Sequence, residues 1–488
     1  MPEPKIQLPY RSPIAVWSAG LAAAALGTWI MYDGMPGVNW VIWTLAAAVG
    51  LLAFIRSGFS FDSPVTWLSI LAVVIAGGAS ITADELLHGL ICLSVILLLA
   101  VAMLLSVDPR VERIKAGYVI LAAPIAFVLA LAESLRRTAE ALQLVRSPKV
   151  RAIVRGIAIT MPIVLVFALL LATADPTFAM WRDTIHDFIA DWAFIPRTIF
   201  FFGMLALALG AFGYADRGLV VAAPSTIPPI ASSDRDSQRW LGSTERLILM
   251  GGVALLFWIF LAVQLSYFFG NLPSVAGSGM TFAEYARRGF GELSVVASFT
   301  AILIIVAERY GKIDERQRLL RTITLLVIVA VYLLLVSAFH RVSLYEEAYG
   351  YTTARLYAQA YMIVVAISLV ALVREVMTTF ELPRLFLRAW MTAALTFVVL
   401  IYWNHQAWIA NRNIDLYAST GKLDTVYLTR DLSADAIPTI VRRLPTLAEP
   451  AKSQLTQAVK LRYLHPHADQ WFEWNFGRVR AREASVGL

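Results

Sequence analysis

Runs of apolar residues long enough to cross a bilayer recur about a dozen times along the chain, separated by short polar connections. In hydrocarbon such a run can satisfy its own backbone hydrogen bonds only as a helix or within a closed barrel. The period-two alternation of barrel strands is not sustained anywhere, so the pattern predicts an all-α, polytopic helical membrane protein. Eleven runs qualify as spans: residues 13–32, 38–55, 64–82, 86–105, 157–174, 196–214, 247–269, 290–307, 319–339, 354–373 and 386–403. Ser12-Pro13 and Ser63-Pro64 supply a capping residue followed by proline in the first helical turn. The alanine-rich first run is long for a signal peptide and reads as a span.

One segment resists this pattern. Residues 117–132 are short for a span, contain Pro124, and run into Glu133-Ser134-Leu135-Arg136-Arg137, the start of a basic amphipathic stretch that reaches Arg155. They are expected to form a re-entrant or interfacial helix, giving about 11–12 transmembrane helices in all. The organisation is then four N-terminal spans in residues 1–116, the re-entrant helix and basic stretch in 117–156, a core transmembrane domain in 157–403, and a polar helical tail in 404–488. Residues 215–246, with Pro224, Pro228 and Pro229, read as a flexible loop. Short amphipathic helices are expected in the tail near 434–444, 452–463 and 470–482.

Composition narrows the class further. The 488 residues are 59% hydrophobic and only 15% charged, with a mean hydropathy of +0.68, which excludes a soluble multi-domain protein. The net charge of +7 is no nucleic-acid signal, because Lys and Arg lie in short loops flanking apolar runs. There they set orientation. The connections 133–155, 215–246, 308–321 and 374–388 hold 6, 4, 5 and 3 Lys or Arg, and the connections that alternate with them hold fewer. The basic connections are expected in the cytoplasm, which puts residues 175–195, 270–289, 340–353 and the tail outside. Eleven crossings with the N-terminus inside satisfy both halves if 117–132 does not cross; twelve with an outside N-terminus is the alternative.

On that topology one outer face collects Asp175, Arg288, Glu292, His340, Glu346, Glu347 and Arg355, the candidate binding residues. Residues 340–359 are a charge-dense, tyrosine-rich connection between two spans, either a wet interfacial loop or a binding or coupling site. Arg355 falls in the first turn of its helix, where the helix dipole disfavours a cation, so a carboxylate partner at Glu346 or Glu347 is expected. Gln359 lies one turn on. Glu292 is the carboxylate expected to enter the apolar region. Glu284 matches a capping box with Thr281, and Asp175-Pro176 also serves as a helix terminator.

His88 and Cys92 are four residues apart but lack further ligands, so no metal and no cofactor are expected. Cys92 is the one cysteine, which leaves no intrachain disulfide. There is no His-Glu-x-x-His, no Walker loop and no Gly-x-Ser-x-Gly elbow, so enzymatic activity has no named nucleophile. The functional reading is a transporter-like or envelope-regulatory component. The alternatives are a membrane-embedded enzyme with His340 or Glu292 as acid/base, and a structural partner-binding subunit. The partners expected are the lipid bilayer and a membrane or periplasmic protein, not nucleic acid.

Several ordered motifs carry a family resemblance. The run from Leu170 to Ala179, Arg288-Gly289-Phe290-Gly291-Glu292-Leu293, and the run from Tyr345 to Tyr357 lie in the core. Ile409-Ala410-Asn411-Arg412-Asn413, Tyr427-Leu428, the run from Leu432 to Pro438, and Trp474-Asn475 lie in the tail. Together they resemble the bacterial multi-pass membrane proteins grouped as domain of unknown function four-one-seven-three, over roughly residues 155–482. Gly350-Tyr351-Thr352 stands where that pattern has Gly-Leu-Thr. The resemblance implies a bacterial inner-membrane protein without an assigned activity.

Overall fold

The structure is a computed structural model that describes residues 13–55, 60–107, 116–143, 160, 194–217, 240–269, 290–312, 316–463 and 470–488. The described residues are built from helices. Eight helices are long and apolar enough to cross a membrane, and two shorter apolar helices accompany them, which is the polytopic helical class that the apolar runs predict. Apart from residue 160, the expected span at 157–174 lies outside the described residues, as does the greater part of the 215–246 loop.

The chain divides into two compact units. The first comprises Met1–Pro224 with His467–Gly477. It contains α1 (Pro13–Met31), α2 (Val38–Phe54), α3 (Pro64–Gly77), α4 (Glu85–Leu105), α5 (Ala116–Gln143) and α6 (Phe194–Arg217). A Cβ placed at Gly20 would lie 3.4 Å from Leu209, and one at Gly27 would lie 3.6 Å from Met204, so α1 and α6 run antiparallel. By contrast α5 and α6 run parallel. A Cβ at Gly210 would collide with the backbone of Ala130, and Arg137 further along α5 meets Asp216 further along α6. Small residues thus let two backbones approach closely, as membrane helices commonly do.

Residues 117–132 do not stand as a short segment of their own. α5 is a single helix of 28 residues with Pro124 inside it, running unbroken into the basic stretch. Neighbouring helices and local adjustment re-satisfy the carbonyl that a proline leaves free, so proline is tolerated in buried helices of this kind.

The second unit comprises Ser225–Pro466 with Arg478–Leu488. It contains α7 (Ser243–Phe269), α8 (Phe290–Tyr310), α9 (Gln317–Tyr349), α10 (Thr353–Met377) and α11 (Leu382–Tyr402), then the tail helices α12 (His405–Thr420), α13 (Ile437–Arg443), α14 (Ala451–Tyr463) and α15 (Phe476–Val486). α9 is the centre, packing against α7, α8 and α10. Val327, Ile328, Val331, Leu334, Ala338 and Val342 form its buried stripe within one continuous core.

The length of α9 corrects the reading of residues 340–353 as a connection. Its 33 residues continue through Tyr349, and only Gly350–Thr352 link it to α10. Such a helix is about 50 Å long against a hydrocarbon core of about 30 Å, so its last turns stand clear of the apolar layer. The charges that look like loop residues are there because the helix outruns the membrane. Arg341, Val342 and Glu346, spaced along one face, remain buried, whereas His340, Glu347 and Tyr349 are exposed.

Candidate functional site at the end of the central helix

Gly350 makes the site. It stops α9 with φ +85° and ψ 168°, a backbone conformation that only glycine adopts readily. A Cβ there would lie 2.6 Å from Asn413 Oδ1. The chain therefore turns within three residues and brings the first turns of α10 beside the last turn of α9.

Glu346 is the centre of this corner. It is 3% exposed, and its Oε2 accepts a hydrogen bond from Gln359 Nε2 at 2.8 Å. Its other carboxylate oxygen, Oε1, has no hydrogen-bond partner. Arg355 lies at the same corner but does not pair with it, contrary to expectation. Its Nη1 donates to the carbonyl of Gly350, and its guanidinium lies over the Tyr345 ring, 4.2 Å from the centroid. The physical reason is that the C-terminus of α9 presents unsatisfied carbonyls and the negative end of its dipole at this point. Together with an aromatic face they compensate a cation that the start of α10 disfavours.

The tail clamps the corner from above. Asn413 Oδ1 accepts from Tyr351 N and Asn413 Nδ2 donates to Tyr351 O, both at 2.8 Å. Tyr427 Oη accepts from Thr353 N at 2.9 Å. The Tyr351 ring meets Trp408 edge-on at 5.3 Å, and Tyr357 Oη is 3.1 Å from Nε2 of the buried His405. Burial pushes the Tyr351 hydroxyl above its ordinary range; the negative charges of Glu346 and Glu347 add to this and Arg412 opposes it.

Of the predicted site residues, Glu346 and Arg355 meet here. Glu347 and His340 occupy α9 with exposed side chains. Glu292 falls in the first turn of α8 without a described side chain, and Arg288 and Asp175 lie outside the described residues. No group of three or more His, Cys, Asp or Glu that could hold a metal occurs among the described residues. His88 bonds through Nε2 to the carbonyl of Thr82 at 2.7 Å, which accounts for its burial.

Three buried ion clusters escaped the sequence reading. Glu375, 1% exposed, accepts from Arg384 Nε at 3.1 Å and from Arg388 Nη1 at 2.5 Å. Arg246 pairs with Glu308 at 2.6 Å, both buried. In the first unit Arg137 joins Glu133 at 3.0 Å to Asp216 at 2.9 Å, with Arg217 also on Glu133. These residues belong to the arginine-rich connections, whose Lys and Arg alone carry the orientation signal. The spacing of Arg384 and Arg388, four apart on one helical face, is the signal that would have found Glu375 its partners.

A family model described as Domain of unknown function (DUF4153) matches residues 69–443. Its number differs from that of the family the motifs resemble. No curated protein and no solved structure matches the chain.

Proposed function

The chain belongs to the DUF4153 family, and from that premise and its apolar helices, which make it an integral membrane protein, we propose that it is a transporter-like or envelope-regulatory component of the bacterial inner membrane. Its ligand site is the corner around Glu346, Gln359 and Arg355, facing outward and covered by the tail. The observation that carries this reading is the buried Oε1 of Glu346. A carboxylate oxygen shielded from water and left without a donor costs free energy unless the site uses it, and such positions concentrate where ligands or ions are handled.

The topology behind "outward" draws support from two sets of contacts. In the first unit the antiparallel α1–α6 pair sets Arg217 at the same end as the start of α1, and the parallel α5–α6 pair sets Glu133 and Arg137 at that end too. α4 ends at Leu105, just before Arg110, Arg113 and Lys115 in the sequence, and its Ala102 and Leu105 share a core with Ala126 and Ala130 of α5. α4 and α5 thus finish at the same end, which supports putting residues 133–155 on the same side as the start of α1. The tail, in turn, binds connections poor in Lys and Arg: Glu473 and Asn475 hold residues 35 and 79–82 in the first unit, and Asn413 and Tyr427 hold residues 351–353 in the second.

Sidedness is the test. With Cys92 replaced by alanine, Glu347→Cys should react with an impermeant maleimide added outside spheroplasts, and a reporter fused after Gln143 should report cytoplasm. Labelling at 347 only after the membrane is opened refutes the outward site. A transport role predicts that Glu346→Gln abolishes accumulation or efflux of a solute, whereas the enzyme alternative predicts loss of a product.

A further inference from the structure

We propose that residues 470–476 form an interfacial foot that returns the tail to the bilayer, with Trp471, Trp474 and Phe476 seated among lipid headgroups beside the end of α1. The segment is two-sided. Phe472, Glu473 and Asn475 are buried, at 6%, 9% and 0% exposure, whereas Trp471, Trp474 and Phe476 are 61%, 45% and 44% exposed. The inward side is fully engaged with its own unit. Glu473 Oε1 accepts from Met35 N at 3.0 Å and Oε2 from Gln470 N at 2.8 Å. Asn475 Nδ2 donates to the carbonyls of Ala79 at 2.9 Å and Thr82 at 2.7 Å, and Val38 N donates to Trp474 O at 3.1 Å. The backbone is thereby fixed, and the outward aromatics are held away from the core.

The neighbouring surface identifies the occupant. Trp29, 53% exposed, stands two residues before the end of α1 and meets Trp471 and Phe472 edge-on, with ring centroids 6.1 and 6.0 Å apart. Two residues of helix are about 3 Å, so this contact lies at the boundary of a membrane span. The aromatic patch of the foot therefore continues the exposed apolar surface of α1, which includes Leu21 at 44% exposure. Tryptophan favours this depth, where its ring sits in the apolar boundary and its N–H stays wet. Three exposed large aromatics within six residues would be an association hazard in water and are anchors in lipid.

The test uses the full chain in nanodiscs of phosphatidylethanolamine and phosphatidylglycerol, with Cys92 replaced by alanine. Spin labels are attached to Trp471→Cys, to Trp474→Cys and, as the water-exposed reference, to Lys452→Cys on α14. Labels at 471 and 474 should collide more often with lipid-soluble oxygen than with a water-soluble nickel chelate, and the order should reverse at 452. Chelate collisions at 471 and 474 equal to those at 452 would overturn the proposal. So would shielding from both reagents, which is the signature of a site covered by protein. Phe476→Cys gives an independent reading if either tryptophan variant fails to assemble.

Discussion

The two ends of the α9–α10 hairpin handle a buried glutamate in opposite ways. At one end Glu375 receives two guanidinium groups and a backbone N–H from Glu381, so its charge is compensated on the spot. At the other end Glu346 receives one neutral amide while the nearby arginine is held by a carbonyl and an aromatic ring. The first arrangement is what a carboxylate needs in order to hold a fold together. The second leaves a polar atom free under a lid and is the arrangement expected of a site that meets something else. The proposed site at Glu346 rests on this difference between the two ends of one hairpin.

The sharpest way to break the comparison is to remove the turn that creates the second end. Gly350→Ala forces a side chain into a glycine-only conformation and against Asn413, and should cost about 3 kcal/mol, read as a lowered unfolding midpoint in detergent. Glu375→Gln should cost ~2 kcal/mol: it strips the charge that Arg384 and Arg388 share, and the partial exposure of both arginines limits the loss. Asn413→Ala removes both hydrogen bonds to Tyr351 and should cost about 1.5 kcal/mol, with increased proteolysis of the tail as a second readout. Glu346→Gln keeps the shape and the contact with Gln359 and should change stability by less than about 1 kcal/mol.

The smallest effect is a pH dependence. The Tyr351 hydroxyl is raised above its ordinary value chiefly by burial, so its contribution to stability is complete below that ordinary value and is lost as pH rises through the raised one. Tyr351→Phe should flatten the alkaline part of the stability curve.

The class of fold was legible in the sequence because bilayer physics leaves few options for a dozen apolar runs. Element boundaries were less so. Residues 340–349 looked like a connection because charge in a membrane protein usually marks one, yet a helix longer than the bilayer is thick carries the same charges. The position of Arg355 in a first helical turn points to compensation by a carboxylate, whereas the structure supplies a carbonyl and an aromatic ring. A helix C-terminus offers the same negative potential without any residue type that announces it. Glu375 was hidden inside counts of lysine and arginine because Arg384 and Arg388 come from the next helix, and Glu133, which bonds Arg137 on its own helix, gave no local sign of Arg217 or of the Asp216 that Arg137 also holds. Gly350 and Asn413, 63 positions apart, could not be linked by local pattern at all.

The most direct test pairs Glu346→Gln with Glu375→Gln in one deletion-strain complementation assay, with the unfolding midpoint of each purified variant measured alongside. Glu346→Gln is expected to melt like the parent and fail to complement, while Glu375→Gln melts lower and loses complementation only as far as its abundance falls. A Glu346→Gln protein that complements fully, or one as destabilised as Glu375→Gln, would contradict the proposed site.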